Sequence, residues 1–397
     1  MSDSGDAREI KNEVVGRFAG SDAVAQIEFD GVITSVDELI RPPETANTLA
    51  PGFVDLQVNG FAGVDYNDPS SSSEQIGGSI RRMFSTGVTR FFATIITGSE
   101  ERMTEALRNL ARAKQELARN RMPEAQAMEA FHVEGPHISP DDGPRGAHPR
   151  EHVRPPDFAE FQRCQEAADG NIRLVTISPE WEKTPDYVAQ LVRSGVVASI
   201  GHTKANSDQI QAAVAAGATM STHLGNAAHP TLPKTQNYIW DQLASDRLTA
   251  SFITDGIHIP EPFFRAVVRA KGIERCVLVT DAVMPAMCAP GRYRLGQVDV
   301  ELRADGSVVM PGTSRLAGSA LRMDHGIGKA VKMAGISLRD ALTMATTNPA
   351  RAGRIAGRQR GLVTGEKADF VQFNWDETAF QLTVIETVVS GMRVYSI

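Results

Sequence analysis

The chain has 397 residues, of which 42% are hydrophobic and 22% charged, an ordinary balance for a globular protein with one large barrel plus a smaller domain, or with two domains. A formal net charge of -7 argues against a nucleic-acid or anionic-membrane partner, but not against a local basic pocket. No apolar run is long enough to span a bilayer, and Cys164, Cys276 and Cys288 are too few and scattered for a disulfide framework or a Cys-based metal site, so a reducing compartment, the cytoplasm, is expected.

Met1 to Glu13 is polar and mixed in charge, with no apolar segment after a basic start, so no secretory signal is expected. Ala23 to Phe29 and Gly31 to Val36 flank Asp30-Gly31 and predict a hairpin, and Pro42-Pro43 marks a linker. Eight strand patterns follow: Phe53–Val58, Arg90–Ile96, Ala127–Glu134, Ile172–Ser178, Val197–His202, Thr219–His223, Thr249–Thr254 and Cys276–Asp281. Helical patterns separate them. Glu100 to Leu117 is amphipathic, Asn206 is an N-cap for Ser207 to Ala216 with Gly217 as its stop, and Pro260 to Lys271 ends at Gly272. Gly291 to Gly312 alternates like a hairpin with Asp305-Gly306 at its turn, an insertion after the eighth strand. Helical patterns at Met323 to Met333 and Leu338 to Thr346 come next, then strands at Ala368 to Asn374, Gln381 to Thr387 and Met392 to Tyr395.

This alternation predicts an α/β fold, a (β/α)8 TIM-like barrel over 50–359, with a small β-sandwich domain formed by both chain termini, 1–49 and 360–397. An open doubly wound sheet is the alternative, but no Gly-x-Gly-x-x-Gly follows a strand to support it.

Four of the apolar runs end in a residue suited to chemistry: Glu134, His202, His223 and Asp281. In a barrel all such ends converge on one mouth. A histidine alone is best read as structural, but two histidines and a glutamate on converging strand ends predict three ligands of one divalent metal ion, with a fourth position for water. Zinc suits such donors, and iron, cobalt or manganese could fill them as well. Asp281 could merely cap its loop. Beside a metal it is instead a general base, taking the proton from a water whose pKa the metal lowers from about 15.7 towards about 7.

His148 and His258 lie on loops that face the predicted mouth, as do Asn226 and Ala227, whose amide and backbone N–H groups suit an anion or a sugar hydroxyl. Gln57 and Asn59 end the first strand. Amides are poor catalytic-zinc ligands, so they read as hydrogen-bonding pocket residues, and one metal rather than two is expected. His132, which shares the face of Glu134, and His137, His152, His229 and His325 read as structural or solvent-exposed, and nothing near Cys288 activates it.

The segments PGFVDLQVNG (51–60), HVEGP (132–136), GHT (201–203), THLGNA (222–227), DGIH (255–258), VTDA (279–282), LAGS (316–319) and ATTNPA (345–350) together resemble the N-acetylglucosamine-6-phosphate deacetylases of the amidohydrolase superfamily, from about Leu49 to the C-terminus. The resemblance implies hydrolysis of the N-acetyl group of an amino-sugar 6-phosphate by a homodimer. It implies Glu134, His202 and His223 as zinc ligands, Asp281 as acid and base, and His148 polarising the acetyl carbonyl. Asn226, Ala227 and His258 would bind phosphate or sugar, with Leu316 also among the substrate contacts. Gln57 and Asn59 look like the variant that uses a single metal.

One departure stands out. The family usually places an Arg in the loop after this His-Leu-x-Asn-Ala motif, where it reaches the phosphate across a dimer interface, whereas 228–237 here offers Lys234 and no Arg. Lysine is a point charge without the bidentate fork of arginine. The departure leaves two alternatives to the main reading. One is a deacetylase for a non-phosphorylated sugar or the galactosamine epimer. The other is a non-catalytic sugar-phosphate-binding barrel, against which the intact base and ligand set argue.

Overall fold

Every residue of the segment FVDLQV is buried, on both faces of its strand, as expected for a parallel strand covered by helices on one side and packed against barrel interior on the other. This strand opens a set of eight: β1 (Phe53–Val58), β2 (Val88–Ile96), β3 (Met128–Glu134), β4 (Ile172–Ile177), β5 (Val197–Ile200), β6 (Met220–Ser221), β7 (Thr249–Phe252) and β8 (Cys276–Leu278). In the computed structural model, which describes residues 12–397 apart from 22, 44, 45 and 297, these strands hydrogen-bond in chain order, each parallel to its neighbour. A parallel bridge between Val58 and Ala282 joins the last strand's extension to the first and closes the cylinder. The barrel expected from the strand rhythm is therefore present, with all eight strands in place.

The helices carry the predicted signals. Asn206 caps Ser207–Ala216 by accepting from the Gln209 N–H, and Gly217 ends that helix in the left-handed conformation, φ 113°. Glu100–Arg119 buries Met103, Leu107, Leu110 and Leu117 along one stripe. Inside the cylinder, a layer of apolar side chains that includes Val54, Leu56, Phe92, Leu174, Met220 and Val277 fills the space.

Of the strand ends that fall short of the sequence expectation, three bear on the site. β5, β6 and β8 stop at Ile200, Ser221 and Leu278, short of His202, His223 and Asp281. The cause is local: these residues have φ of 48°, 29° and 51°, in the left-handed region where a ladder cannot continue. The chain turns as it leaves the barrel and aims each of these side chains back over the mouth.

The insertion is larger than the hairpin expected for Gly291 to Gly312. It is a four-stranded antiparallel sheet of Gly291–Leu295, Val298–Leu302, Ser307–Val309 and Leu316–Ser319 with its own apolar core, including Leu295, Val300, Leu302 and Val308. The Asp305-Gly306 turn is present, but the last strand was missed because Gly312 and the polar residues after it look like an exit loop. A bridge from Ser319 to Ala282 fastens this flap to the barrel rim.

The two ends of the described chain meet in one seven-stranded sheet, ordered Met392–Ser396, Gln381–Val389, Phe370–Asp376, Thr48–Pro51, Asn12–Phe18, Val24–Asp30 and Val32–Glu38. Gly31, φ 66°, makes the predicted hairpin turn. Asn12–Phe18 and Thr48–Pro51 were not anticipated; the first lacks clean alternation and the second is only four residues long. The polar reading of Met1 to Glu13 falls almost wholly outside the described residues. Phe29 and Phe370 pack edge to face at 5.1 Å, so the sheet's core draws on both ends of the chain.

Where the sheet meets the barrel, Asp369 is fully buried between two arginines. Arg90 reaches it through Nε at 2.6 Å and Nη2 at 3.1 Å, and Arg358 through Nε at 3.1 Å. No helix among the described residues is long and apolar enough to cross a membrane.

Candidate active site

Glu134 ends β3 inside the cylinder, 2% exposed, where a free carboxylate would be costly. Burial alone would raise its pKa, but the adjacent His202 and His223 rings, through the positive charge and Nε2 proton they can take up, hold it well below the usual carboxylate range. Its Oε1 lies 3.1 Å from His202 Nε2 and 2.8 Å from His223 Nε2, and the two imidazole nitrogens are 3.2 Å apart. Three potential ligand atoms from β3 and from the ends of β5 and β6 thus crowd around one point.

The ring chemistry fits a cation at that point. His202 Nδ1 lies 2.9 Å from the Pro144 carbonyl, which can only accept, so Nδ1 carries the proton and the Nε2 lone pair faces Glu134 and His223. Two imidazole nitrogens and one carboxylate oxygen are the donor set of a catalytic metal site with an open position. The three residues expected as ligands are together.

Asp281 stands beside them. Burial, followed by the nearby Glu134, pushes its pKa up to about 6. Gln57 Nε2 donates to Asp281 Oδ1 at 3.1 Å and to Glu134 Oε1 at 2.9 Å, while Asn59 Nδ2 donates to the same Asp281 oxygen at 2.6 Å. Gln57 and Asn59 therefore hold the two carboxylates in place, and both amides leave Asp281 Oδ2 unclaimed. Beneath them Asp55 ties β1 to the β8 end: Thr280 donates to it through its hydroxyl at 2.6 Å and its backbone N–H at 3.2 Å.

His148 lies over the site, its ring against that of His202 with centroids 4.5 Å apart and its Nε2 3.9 Å from Glu134 Oε2. Burial, with His202 beside it, lowers its pKa to about 3, so the ring is neutral. Thr97 Oγ1 is 2.8 Å from its Nδ1 but 3.4 Å from the Glu134 carbonyl. The carbonyl can only accept, so the hydroxyl donates to it, and Thr97 Oγ1 holds the His148 ring through Nδ1. Thr97 was missed from the sequence: it is one hydroxyl after an apolar strand, with no pattern to mark it.

Asn59, Glu134, His148, His202, His223 and Asp281 line a cavity of about 1040 Å³, whose wall also includes Leu295, Val298 and Met310 of the flap. Asn226, Ala227 and Leu316 are on its wall. Lys234 is exposed and away from it, and the His258 ring is turned to Asp255, with Nδ1 2.6 Å from Oδ2. His132 is buried between the Leu56 carbonyl at 3.2 Å and Thr176 Oγ1 at 2.7 Å. His137 meets the Arg154 carbonyl, His229 the Tyr238 hydroxyl, and His325 is exposed.

An eight-stranded barrel that gathers imidazole and carboxylate donors at its mouth, with a further acid beside them, defines a class. The chain belongs to the amidohydrolase family, whose model matches residues 48–394, and the family is metal-dependent. Within it, the chain is 35% identical over 364 residues to the N-acetylglucosamine-6-phosphate deacetylase of Bos taurus, covering 88% of this chain and 84% of that protein. It is 33% identical over 384 residues to the N-acetylgalactosamine-6-phosphate deacetylase of a Shewanella species, covering 92% and 90%. Among solved structures, it superposes on a mutant N-acetyl-D-glucosamine-6-phosphate deacetylase from Mycobacterium smegmatis in complex with N-acetyl-D-glucosamine 6-phosphate. That match has a TM-score of 0.85 at 30% identity and covers 97% of this chain and all of that one.

Proposed function

We propose that this protein hydrolyses the N-acetyl group of N-acetyl-D-glucosamine 6-phosphate to glucosamine 6-phosphate and acetate. The observation that carries the reading is the Gln57 amide, which bridges Glu134 Oε1 and Asp281 Oδ1 and so fixes a proton acceptor next to a three-ligand metal cluster. A barrel that only bound its sugar would have no use for that acceptor.

Glu134, His202 and His223 would hold one divalent ion. A metal ion there, best matched by zinc, with iron, cobalt or manganese able to use the same donors, would acidify a water and polarise the acetyl carbonyl. A single ion is favoured because the Gln57 side chain fills the space between the two carboxylates. Asp281 accepts the water's proton at Oδ2, since Oδ1 is occupied by Asn59 and Gln57. His148, its ring held by Thr97 through Nδ1 with Nε2 towards Glu134, polarises the acetyl carbonyl and steadies the developing oxyanion. Asp281 then returns the proton to the amine nitrogen, which could not leave as an anion. Asn226 and Ala227 contribute polar groups to the wall of the substrate cavity.

The boundaries near 50 and 359 divide catalytic barrel from supporting sheet. The working form is a homodimer in the cytoplasm, in keeping with the three unpaired cysteines.

The Shewanella relative makes the galactosamine epimer the competing substrate. Acetate release from the 6-phosphates of N-acetylglucosamine and N-acetylgalactosamine, and from free N-acetylglucosamine, is the test. The reading requires the glucosamine-series phosphate to give the highest kcat/KM, and a preference for either of the others would replace it.

A further inference from the structure

A 6-phosphate needs a cation. The loop 228–237 contributes Ala228 and Pro230 to the cavity wall, whereas Lys234, whose place in the resemblance is across a dimer interface, is exposed and outside its own chain's cavity. Among the described residues on the cavity wall, Arg315 is the one lysine or arginine. It stands where the flap turns into its last strand, Leu316–Ser319. The turn is held by its own backbone, with the Arg315 N–H donating to Thr313 Oγ1 at 3.1 Å and the Met310 N–H donating to the Arg315 carbonyl at 2.9 Å. The flap in turn is fastened to Ala282, next to Asp281.

The guanidinium is not committed elsewhere. Its nearest acid is Asp142, with Nη2 4.0 Å from Oδ1, a pair that is 44% and 65% exposed. That same Oδ1 is already taken by Arg145 Nη2. One carboxylate shared by two guanidiniums leaves a positive charge over, and so loose and exposed a pair holds Arg315 with little energy. Asn226 and Ala227 lie on the wall of the same cavity, with Ala227 in the left-handed conformation, φ 46°.

We propose that Arg315, supplied from this chain's own flap, recognises the substrate's phosphate. It exchanges Asp142 for the substrate's 6-phosphate, so that the flap reads the phosphate while the rim of the barrel carries out the hydrolysis. This rests on the deacetylase reading above. A guanidinium offers two parallel donors to two phosphate oxygens, which an ammonium cannot match.

Calorimetric titration of the metal-loaded enzyme with glucosamine 6-phosphate and with glucosamine tests it without requiring turnover. The wild type binds the phosphorylated product more tightly. Arg315→Ala weakens glucosamine 6-phosphate binding by about tenfold or more, the usual loss for one charge-assisted contact, and Arg315→Lys recovers part of it. In turnover, Arg315→Ala raises KM for N-acetylglucosamine 6-phosphate far more than it lowers kcat. Equal weakening of both products would show that Arg315 only shapes the flap and would overturn the proposal. So would an unchanged affinity, or a wild type that does not prefer the phosphate. Acetate release by the wild type reports separately on the deacetylase reading. A protein that binds the phosphorylated product through Arg315 yet releases no acetate would sink that reading and leave this one standing.

Discussion

Asn59 Nδ2 lies 2.6 Å from Asp281 Oδ1, joining residues 222 positions apart at the seam where the barrel closes. The closure that makes the cylinder is thus also what orients the acid. The Asn59 N–H donates to the Ala282 carbonyl at 2.7 Å and the Asp281 N–H to the Gln57 carbonyl at 3.0 Å, so the backbone of the two segments is locked on either side of the side-chain contact.

Replacing the acid should separate chemistry from structure. Asp281→Asn keeps the size of the side chain and removes the proton acceptor. kcat is expected to fall by about 10²- to 10⁴-fold, the range for loss of a general acid–base group, while metal content and melting temperature stay near wild type. Steady-state kinetics beside elemental analysis checks this; an unchanged kcat removes Asp281 from the mechanism.

Removing a ligand should behave differently. His223→Ala leaves Glu134 and His202 as two of the three ligands, and the purified variant is expected to lose both bound metal and activity. Chelation of the wild type should abolish turnover, and added zinc should restore it. A variant with full metal content would rule out the ligand role.

Gly135 tests how His148 is held. Its φ is +85°, and a Cβ placed there would fall 2.1 Å from Thr97 Oγ1. Gly135→Ala is expected to push Thr97 off His148 Nδ1 and to cost about 1–3 kcal/mol of stability through backbone strain. Turnover should drop with little loss of metal. Chemical denaturation and kcat measured together would show whether both effects appear, and a stable, fully active variant would contradict the account.

Asp369 sets an acid limit on stability. Burial raises its pKa, but Arg90 and Arg358 outweigh burial and hold it below its ordinary value of 3.8. A depressed folded-state pKa adds stability above the unfolded value, and this stability is lost as pH falls through the folded one. Asp369→Asn leaves two buried guanidiniums without their anion and should cost about 3–5 kcal/mol near neutral pH. The gap to wild type should begin to narrow as pH drops below about 4, where the unfolded chain's carboxylate takes up its proton, and should close further until the folded carboxylate is protonated too. Urea denaturation at several pH values would measure it, and a gap that does not change with pH would reject the linkage.

Local pattern and chain order were enough to predict eight strand–helix units, the caps at Asn206 and Gly217, and hence a barrel rim shared by Glu134, His202, His223 and Asp281. Strand burial and helical periodicity are short-range properties, and the closure of parallel strands is the one long-range rule they need. Only the tertiary structure decided the rest: the left-handed turns that aim His202, His223 and Asp281, the bridging role of Gln57, the Thr97 hydroxyl behind His148, and the flap that brings Arg315 to the cavity. Each of these contacts joins segments that share no periodicity, and their worth depends on distances of a few tenths of an ångström, which the order of residues along a chain does not encode locally.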